Sequence, residues 1–184
     1  MVVTRLEELL SGDVLTVAPE LLGWRVRTAS GGVTTEVTLT EVEAYAGSDD
    51  PASHAFRGAT TRNVAMFGPP GTLYVYRSYG IHWCMNVVVG AEGDPSAVLL
   101  RGGEPTVGAD EMERRRGRGD HLVDGPGKLC QALGVDGSHD GTSVVNGPLR
   151  LLPPEGPVSG DVRATTRVGI TKATDRPWRF LLTP

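Results

Sequence analysis

The segment Val33 to Ala46 constrains the fold more than any other part of the chain. It is rich in Val and Thr and follows the turn Ser30-Gly31-Gly32, which is the pattern of a β-strand. Val33, Val37 and Leu39 share one face by period two, yet the next apolar residues, Val42 and Ala44, lie on the other. A one-residue slip turns over every later side chain, so the change of phase calls for a bulge, or for an end of burial, near Thr40. Beyond it, Glu41, Glu43 and Tyr45 share one face, and Val42 and Ala44 occupy the opposite one.

The remaining pattern places shorter elements around this strand. Asp13 to Leu22 reads as a helix with an apolar stripe, stopped by Gly23. Gly47 to Gly71 carries too many breakers for a long element and reads as an ordered loop. Thr72 to Tyr79 and Trp83 to Val89 form a hairpin, and Ser96 to Leu100 a third strand that ends abruptly at Arg101. Glu104 to Arg116 reads as a charged surface helix. Gly125-Pro126-Gly127-Lys128 opens another helix that runs to Leu133, with Gly134 as its stop. Leu151 to Gly160 reads as a loop, and Arg163 to Ile170 and Pro177 to Leu182 as closing strands. At 184 residues and 19.5 kDa the chain fits one domain, 1–184. No apolar run approaches the ~18 residues of a membrane span, and the N-terminus lacks a secretory pattern, so a cytoplasmic protein is expected.

The usual cofactor signatures are missing. Cys84 and Cys130 are far apart, and His54, His82, His121 and His139 make no metal-ligand spacing. No phosphate-binding glycine loop and no GxSxG elbow occur. The net charge of −4 argues weakly against a general electrostatic hold on nucleic acid. The informative feature is aromatic placement: the chain has ten Phe, Tyr and Trp residues, and seven fall between Tyr45 and Trp83.

Individual residues support more than one reading. Glu43 alone is an ordinary strand-face carboxylate. Beside Tyr45, at i+2, it can hold a water next to a stacked ring. Tyr74 and Tyr76 share a strand face, where tyrosines are usual. Tyr79, Ile81 and His82 surround Gly80 at a hairpin tip, where Gly, Asn or Asp is normal. Large side chains there suit insertion into a partner such as stacked bases. His54 is either a loop histidine bonded to backbone or a site residue. Asn86, inside an apolar strand, is a structural bridge or a base reader. Arg101 needs a carboxylate partner, for which Glu43 is a candidate. Lys128 marks a helix start or a phosphate contact. Arg114 to Arg118 reads as a solvated surface.

Several of these residues belong to longer strings. Glu41-Val42-Glu43-Ala44-Tyr45, Ser53-His54-Ala55-Phe56-Arg57-Gly58, Thr61-Arg62-Asn63, Met66-Phe67-Gly68-Pro69-Pro70-Gly71-Thr72-Leu73-Tyr74-Val75-Tyr76, Tyr79-Gly80-Ile81-His82-Trp83-Cys84-Met85-Asn86, Val98-Leu99-Leu100-Arg101 and Gly125-Pro126-Gly127-Lys128-Leu129-Cys130-Gln131-Ala132-Leu133 stand in this order. Together they resemble the alkyladenine, or 3-methyladenine, DNA glycosylase family, also called methylpurine DNA glycosylases.

The resemblance implies a mixed α/β (α+β) domain: a curved, open barrel-like antiparallel sheet with peripheral helices and a protruding hairpin. It implies Glu43 as general base and Arg101 as the arginine that helps hold the attacking water. It implies Tyr45, His54 and Tyr76 around a flipped base, with Asn86 discriminating against the amino group of guanine. Tyr79 would fill the gap in the duplex, with Ile81 and His82 in the minor groove and Arg62 and Lys128 as further DNA contacts. No metal or organic cofactor is expected. The expected partner is double-stranded DNA carrying damaged purines, acted on by a monomer associated with a bacterial nucleoid. No lysine is expected in the motif cluster to form a Schiff base, so hydrolysis without strand cleavage is expected. The chain departs from the family pattern in lacking a Pro between Thr61 and Arg62 and in carrying Ile81 where Met is common. A non-catalytic binder of damaged nucleic acid, a hydrolase of free nucleosides and a plain structural or interaction module are the competing readings, the last of which leaves the concentration of aromatic residues unexplained.

Overall fold

A computed structural model describes residues 2–183. Its centre is an eight-stranded antiparallel sheet in the order β3-β4-β5-β2-β1-β6, with β8 pairing both β2 and β7. The strands are β1 (Arg25–Ser30), β2 (Val33–Ala46), β3 (Leu73–Ser78), β4 (His82–Val89), β5 (Ser96–Val107), β6 (Leu149–Leu152), β7 (Asp161–Thr165) and β8 (Arg179–Thr183). Four helices accompany them: α1 (Val2–Leu10), α2 (Val14–Glu20), α3 (Ala109–Arg116) and α4 (Pro126–Leu133). The sheet curls into an antiparallel half-barrel, so the mixed α/β expectation holds.

The bulge anticipated near Thr40 is present. Leu39 pairs with Gly103 and Glu41 with Gly102, which leaves Thr40 unpaired against β5. On the other edge of β2 the neighbour changes at the same place: β1 pairs with Val33 to Thr38, and β8 with Glu41 to Glu43. Val37 and Leu39 before the bulge, and Val42 and Ala44 after it, all reach the same buried core. The irregularity, in which Thr40 on β2 and Arg101 on β5 are both left unpaired, therefore turns Glu41, Glu43 and Tyr45 to the opposite face.

That core is largely aliphatic. Leu73, Val75, Met85, Val87, Val98 and Leu100 come from β3, β4 and β5, and Leu129 and Leu133 from α4, which packs on β4 and β5. A second, smaller cluster of Ala55, Met66, Tyr74, Val88 and Ala97 sits on the other face of the same strands. The sheet is thus buried on both faces along β3, β4, β5 and β2, and its second face carries the site.

Several boundaries differ from expectation. Residues 104–107 continue β5 instead of opening a helix, pairing with Glu36 to Thr38. The strand survives Gly102 and Gly103 because the chains approach closely: a Cβ on Gly103 would lie 2.1 Å from the Thr38 carbonyl oxygen. Gly108, at φ 75°, then turns the chain into α3. Three elements escaped the sequence reading: α1, β1 and β6. Leu149–Leu152 pairs with β1, so the loop begins only after it. β7 ends at Thr165, and residues 166–178 form an irregular connection to β8. The Arg114 to Arg116 side chains are engaged by Glu111 and Gln131. Among the described residues no helix is long and apolar enough to cross a membrane.

Candidate active site

Period two on four neighbouring strands builds the site. β2 contributes Glu43 and Tyr45, β5 Leu99 and Arg101, β4 Cys84 and Asn86, and β3 Tyr74 and Tyr76. Register aligns them, because Glu43 pairs with Leu99, Leu99 with Asn86, and Asn86 with Tyr74. One row across the sheet therefore runs from a carboxylate to a phenol. Above it opens a cavity of about 590 Å³, lined by Tyr45, His54, Tyr74, Tyr76, Asn86 and Arg101 among others.

Glu43 is fully buried. Its carboxylate lies behind the cavity wall formed by Tyr45, Arg101 and Val168. Oε2 accepts a hydrogen bond from the Tyr45 hydroxyl at 2.9 Å, and Oε1 accepts one from the Val168 N–H at 2.7 Å. Arg101 Nη1 is 3.3 Å from Oε2. Two hydrogen bonds and one ion-pair contact on one buried carboxylate satisfy the requirement that buried charge be paired.

Arg101 serves two carboxylates. Its Nε donates to Glu41 at 2.8 Å, and Arg179 donates to the same Glu41 oxygen at 2.7 Å. Glu43 is therefore one of two partners, and the Arg101 charge is compensated locally. Burial pushes the Glu41 carboxyl up, but the hydrogen bonds and charges of Arg179 and Arg101 outweigh this and hold it below its usual range. The adjacent pair is thereby differentiated: Glu41 is half-buried and neutralised by two arginines, while Glu43 faces the cavity wall.

The rings occupy one wall. Tyr74 and Tyr76 stack at 5.5 Å between centroids, and the His54 ring meets Tyr76 edge-on at 4.5 Å. His54 Nδ1 lies 3.0 Å from the Tyr74 hydroxyl. Desolvation against these rings, with the Arg62 charge nearby, lowers the His54 pKa and favours the neutral imidazole. Burial pushes the Tyr74 phenol up to about 12. Asn63, quoted in the motif without a role, organises the His54 loop: its Nδ2 donates to the carbonyls of His54 and Gly58. Asn86 proves to be a bridge at one end, Nδ2 donating to the Tyr74 carbonyl at 3.2 Å, while its side chain still lines the cavity.

The hairpin tip is a tight two-residue turn closed by Ile81 N–H to the Ser78 carbonyl at 3.0 Å. Tyr79 and Gly80 have φ of 50° and 68°, a geometry that favours Asn-Gly. A bulky residue in this region is strained, and strain concentrates at functional positions. Tyr79 is 91% exposed and Ile81 68%. His82 is exposed as well, and it packs against α4 so closely that a Cβ on Gly127 would lie 2.8 Å from its Cβ.

The basic residues divide. Arg62 lies 5.9 Å over the Tyr76 ring at the cavity edge and donates to the Arg77 carbonyl. Lys128 is paired with Asp124 at 2.9 Å, so its charge is locally compensated. Lys172, absent from every motif string, lines the cavity from the β7–β8 connection. A lysine from outside the motif cluster thus reaches the cavity. Residues 168–172 as a whole form a wall whose approach to the cavity depends on β8 pairing with β2.

The family model described as Methylpurine-DNA glycosylase (MPG) matches residues 8–184. The chain is 51% identical over 175 residues to a protein of Methanoculleus marisnigri, covering 92% of this chain and 90% of that one. It is 50% identical over 171 residues to one of Rhodopseudomonas palustris strain HaA2, covering 91% and 81%. A protein of Frankia casuarinae is 50% identical over 185 residues, covering 92% and 84%. Each of the three carries the name "Putative 3-methyladenine DNA glycosylase".

Proposed function

Because the chain belongs to the methylpurine-DNA glycosylase family, we propose that it is a DNA glycosylase that removes alkylated or deaminated purines from duplex DNA. The buried Glu43 carboxylate, hydrogen-bonded at the edge of an aromatic cavity, carries this reading. The target nucleotide is extruded, at a cost of a few kcal/mol that is smaller for a damaged base. Tyr79, at the exposed turn, offsets part of it by replacing lost stacking.

Tyr45, Tyr76 and His54 receive the extruded base. A base alkylated at N3 or N7 is cationic, and ring faces favour it by ~0.5–2 kcal/mol. The neutral state of His54 adds no repulsion. A cationic purine is also a good leaving group, so one carboxylate suffices where ordinary glycosidases need two. Glu43 takes a proton from water on the face of the sugar opposite the departing base, and its charge stabilises the oxocarbenium-like transition state. Arg101 helps hold that water, and Asn86 presents its amide to the base edge. The products are a free base and an abasic site.

Water as nucleophile makes the enzyme monofunctional. Lys172 brings an amine to the cavity wall, so this point has its own test: borohydride should trap no covalent complex with abasic DNA. A trapped complex lost in Lys172→Ala would replace hydrolysis alone with a lyase reaction. For the main reading, duplexes bearing single 3-methyladenine, 7-methylguanine, hypoxanthine or ethenoadenine are incubated with enzyme and released base is quantified. Glu43→Gln should bind such duplexes yet barely excise. Wild-type rates for that variant would remove Glu43 from the mechanism, and activity confined to free nucleosides would replace the duplex reading.

A further inference from the structure

We infer that Arg167 is a positioning residue for excision: it holds both the Glu43 carboxylate and the Tyr45 ring in place from the far side of the cavity wall. The inference rests on the glycosylase reading of the site. Arg167 lies in the β7–β8 connection. Its side chain is fully buried together with that of Asp50.

Three sets of contacts converge on its guanidinium. Nη2 donates to Asp50 Oδ1 at 2.9 Å while Nη1 donates to Oδ2, a fork on one carboxylate. Nη1 also donates to the carbonyl of Ala44 at 3.0 Å, and Ala44 is the residue between Glu43 and Tyr45. The guanidinium carbon lies 4.6 Å from the Tyr45 ring centre and 5.0 Å from that of Trp178. The next residue, Val168, donates its N–H to Glu43 Oε1. One side chain thereby fixes the backbone between the two site residues, contacts the stacking ring, and anchors the amide that orients the carboxylate.

Stability alone gives little reason for this arrangement. A buried ion pair gains little over well-packed apolar residues of equal volume, because desolvation offsets the attraction. A planar cation is, however, the group that can fork onto a carboxylate while contacting two rings. Asp50 is itself held, accepting from the Ala52 N–H at 3.2 Å, with Arg176 3.8 Å away. The pair thus links the turn at residues 47–50, which follows β2, to the cavity wall at 168–172.

Single-turnover release of 3-methyladenine from methylated duplex DNA tests the role in Arg167→Lys. A neutral pair, Asp50→Asn with Arg167→Gln, leaves no buried charge uncompensated if the lysine variant folds poorly. Lysine keeps the charge but cannot form the fork and reach Ala44 together. Misplacement of this kind costs of the order of 10²-fold in rate. The rate constant should fall by that order, while the reaction amplitude, which reads the folded fraction, stays near the wild-type value. Affinity for a duplex with a tetrahydrofuran abasic analogue should stay within about twofold. In a Glu43→Gln background the same changes should slow the residual rate no further, since the residues act as a unit. A wild-type rate constant in both variants, loss confined to amplitude, or an equal slowing without Glu43 would each overturn the inference. Failure of wild-type enzyme to release any base would instead overturn the glycosylase reading beneath it.

Discussion

Tyr45 donates its hydroxyl to Glu43 Oε2 at 2.9 Å from two residues further along the same face of β2. A ring proposed to stack on the base is thus bonded to the carboxylate proposed to activate water. Removing the hydroxyl alone should separate the two functions. Tyr45→Phe keeps the ring and loses a hydrogen bond to a charged group, worth ~1.5–3 kcal/mol. Urea unfolding should show a loss of about that size, with binding to a lesion duplex nearly unchanged. Tyr45→Ala should lose binding as well; equal binding by the two variants would show that the ring does not hold the base.

The bulge at Thr40 makes a sharper prediction. Thr40 has no partner on β5, Arg101 opposite has none on β2, and this break in the ladder is where Glu43 turns away from the core. Deleting it should drive Glu43 inward and Val42 and Ala44 outward, abolishing cooperative folding. Thr40→Ala, which keeps the residue count, should melt close to wild type and retain excision. A folded, active deletion variant, seen by circular dichroism and base release, would refute this account of the register.

Tyr79 holds a positive φ that Asn adopts more readily. Tyr79→Asn should stabilise the hairpin by ~1 kcal/mol, a small rise in melting temperature, and reduce excision from duplex DNA. Excision from single-stranded DNA, which has no gap to fill, should change little. Equal loss on both substrates would place Tyr79 in the pocket rather than in the duplex.

Glu41 determines part of the acid sensitivity. Its carboxyl is pushed up by burial but held lower overall by Arg179 and Arg101, below the ordinary value of 4.5. The unfolded chain then binds the proton more readily, so this contribution is complete above pH 4.5 and fades as pH falls through the folded value. Glu41→Gln should reduce stability at pH 7 and flatten the decline in acid. Urea midpoints at pH 7 and pH 3.5 measure both, and an unchanged acid slope would exclude Glu41 as its source.

Much of the site was legible because strand periodicity is local. The alternation of Glu43 with Val42 and Ala44, and of Tyr74 and Tyr76 with Leu73 and Val75, reports which side chains share a face. The ordered motifs added the family and the expected roles of His54, Asn86 and Arg101. Charge was a poorer guide. Glu104 suggested a helix, yet the close approach of Gly103 to Thr38 extends β5 past it. Lys128 suggested a phosphate contact, yet Asp124 compensates it.

The phase change at Thr40 is written in the chain itself, since it follows from which residues are apolar, and it alone dictates that Glu43 and Tyr45 leave the core. What surrounds them is not written there. Arg167 reaches the Ala44 carbonyl, and Val168 reaches Glu43, across more than a hundred positions because β8 adds to β2 just past the bulge. Arg101 is shared between Glu41 and Glu43 because β5 and β8 flank the same stretch of β2. Period and polarity are properties of neighbours in sequence, whereas the partners of a buried charge depend on strand order, and only the closed sheet specifies that.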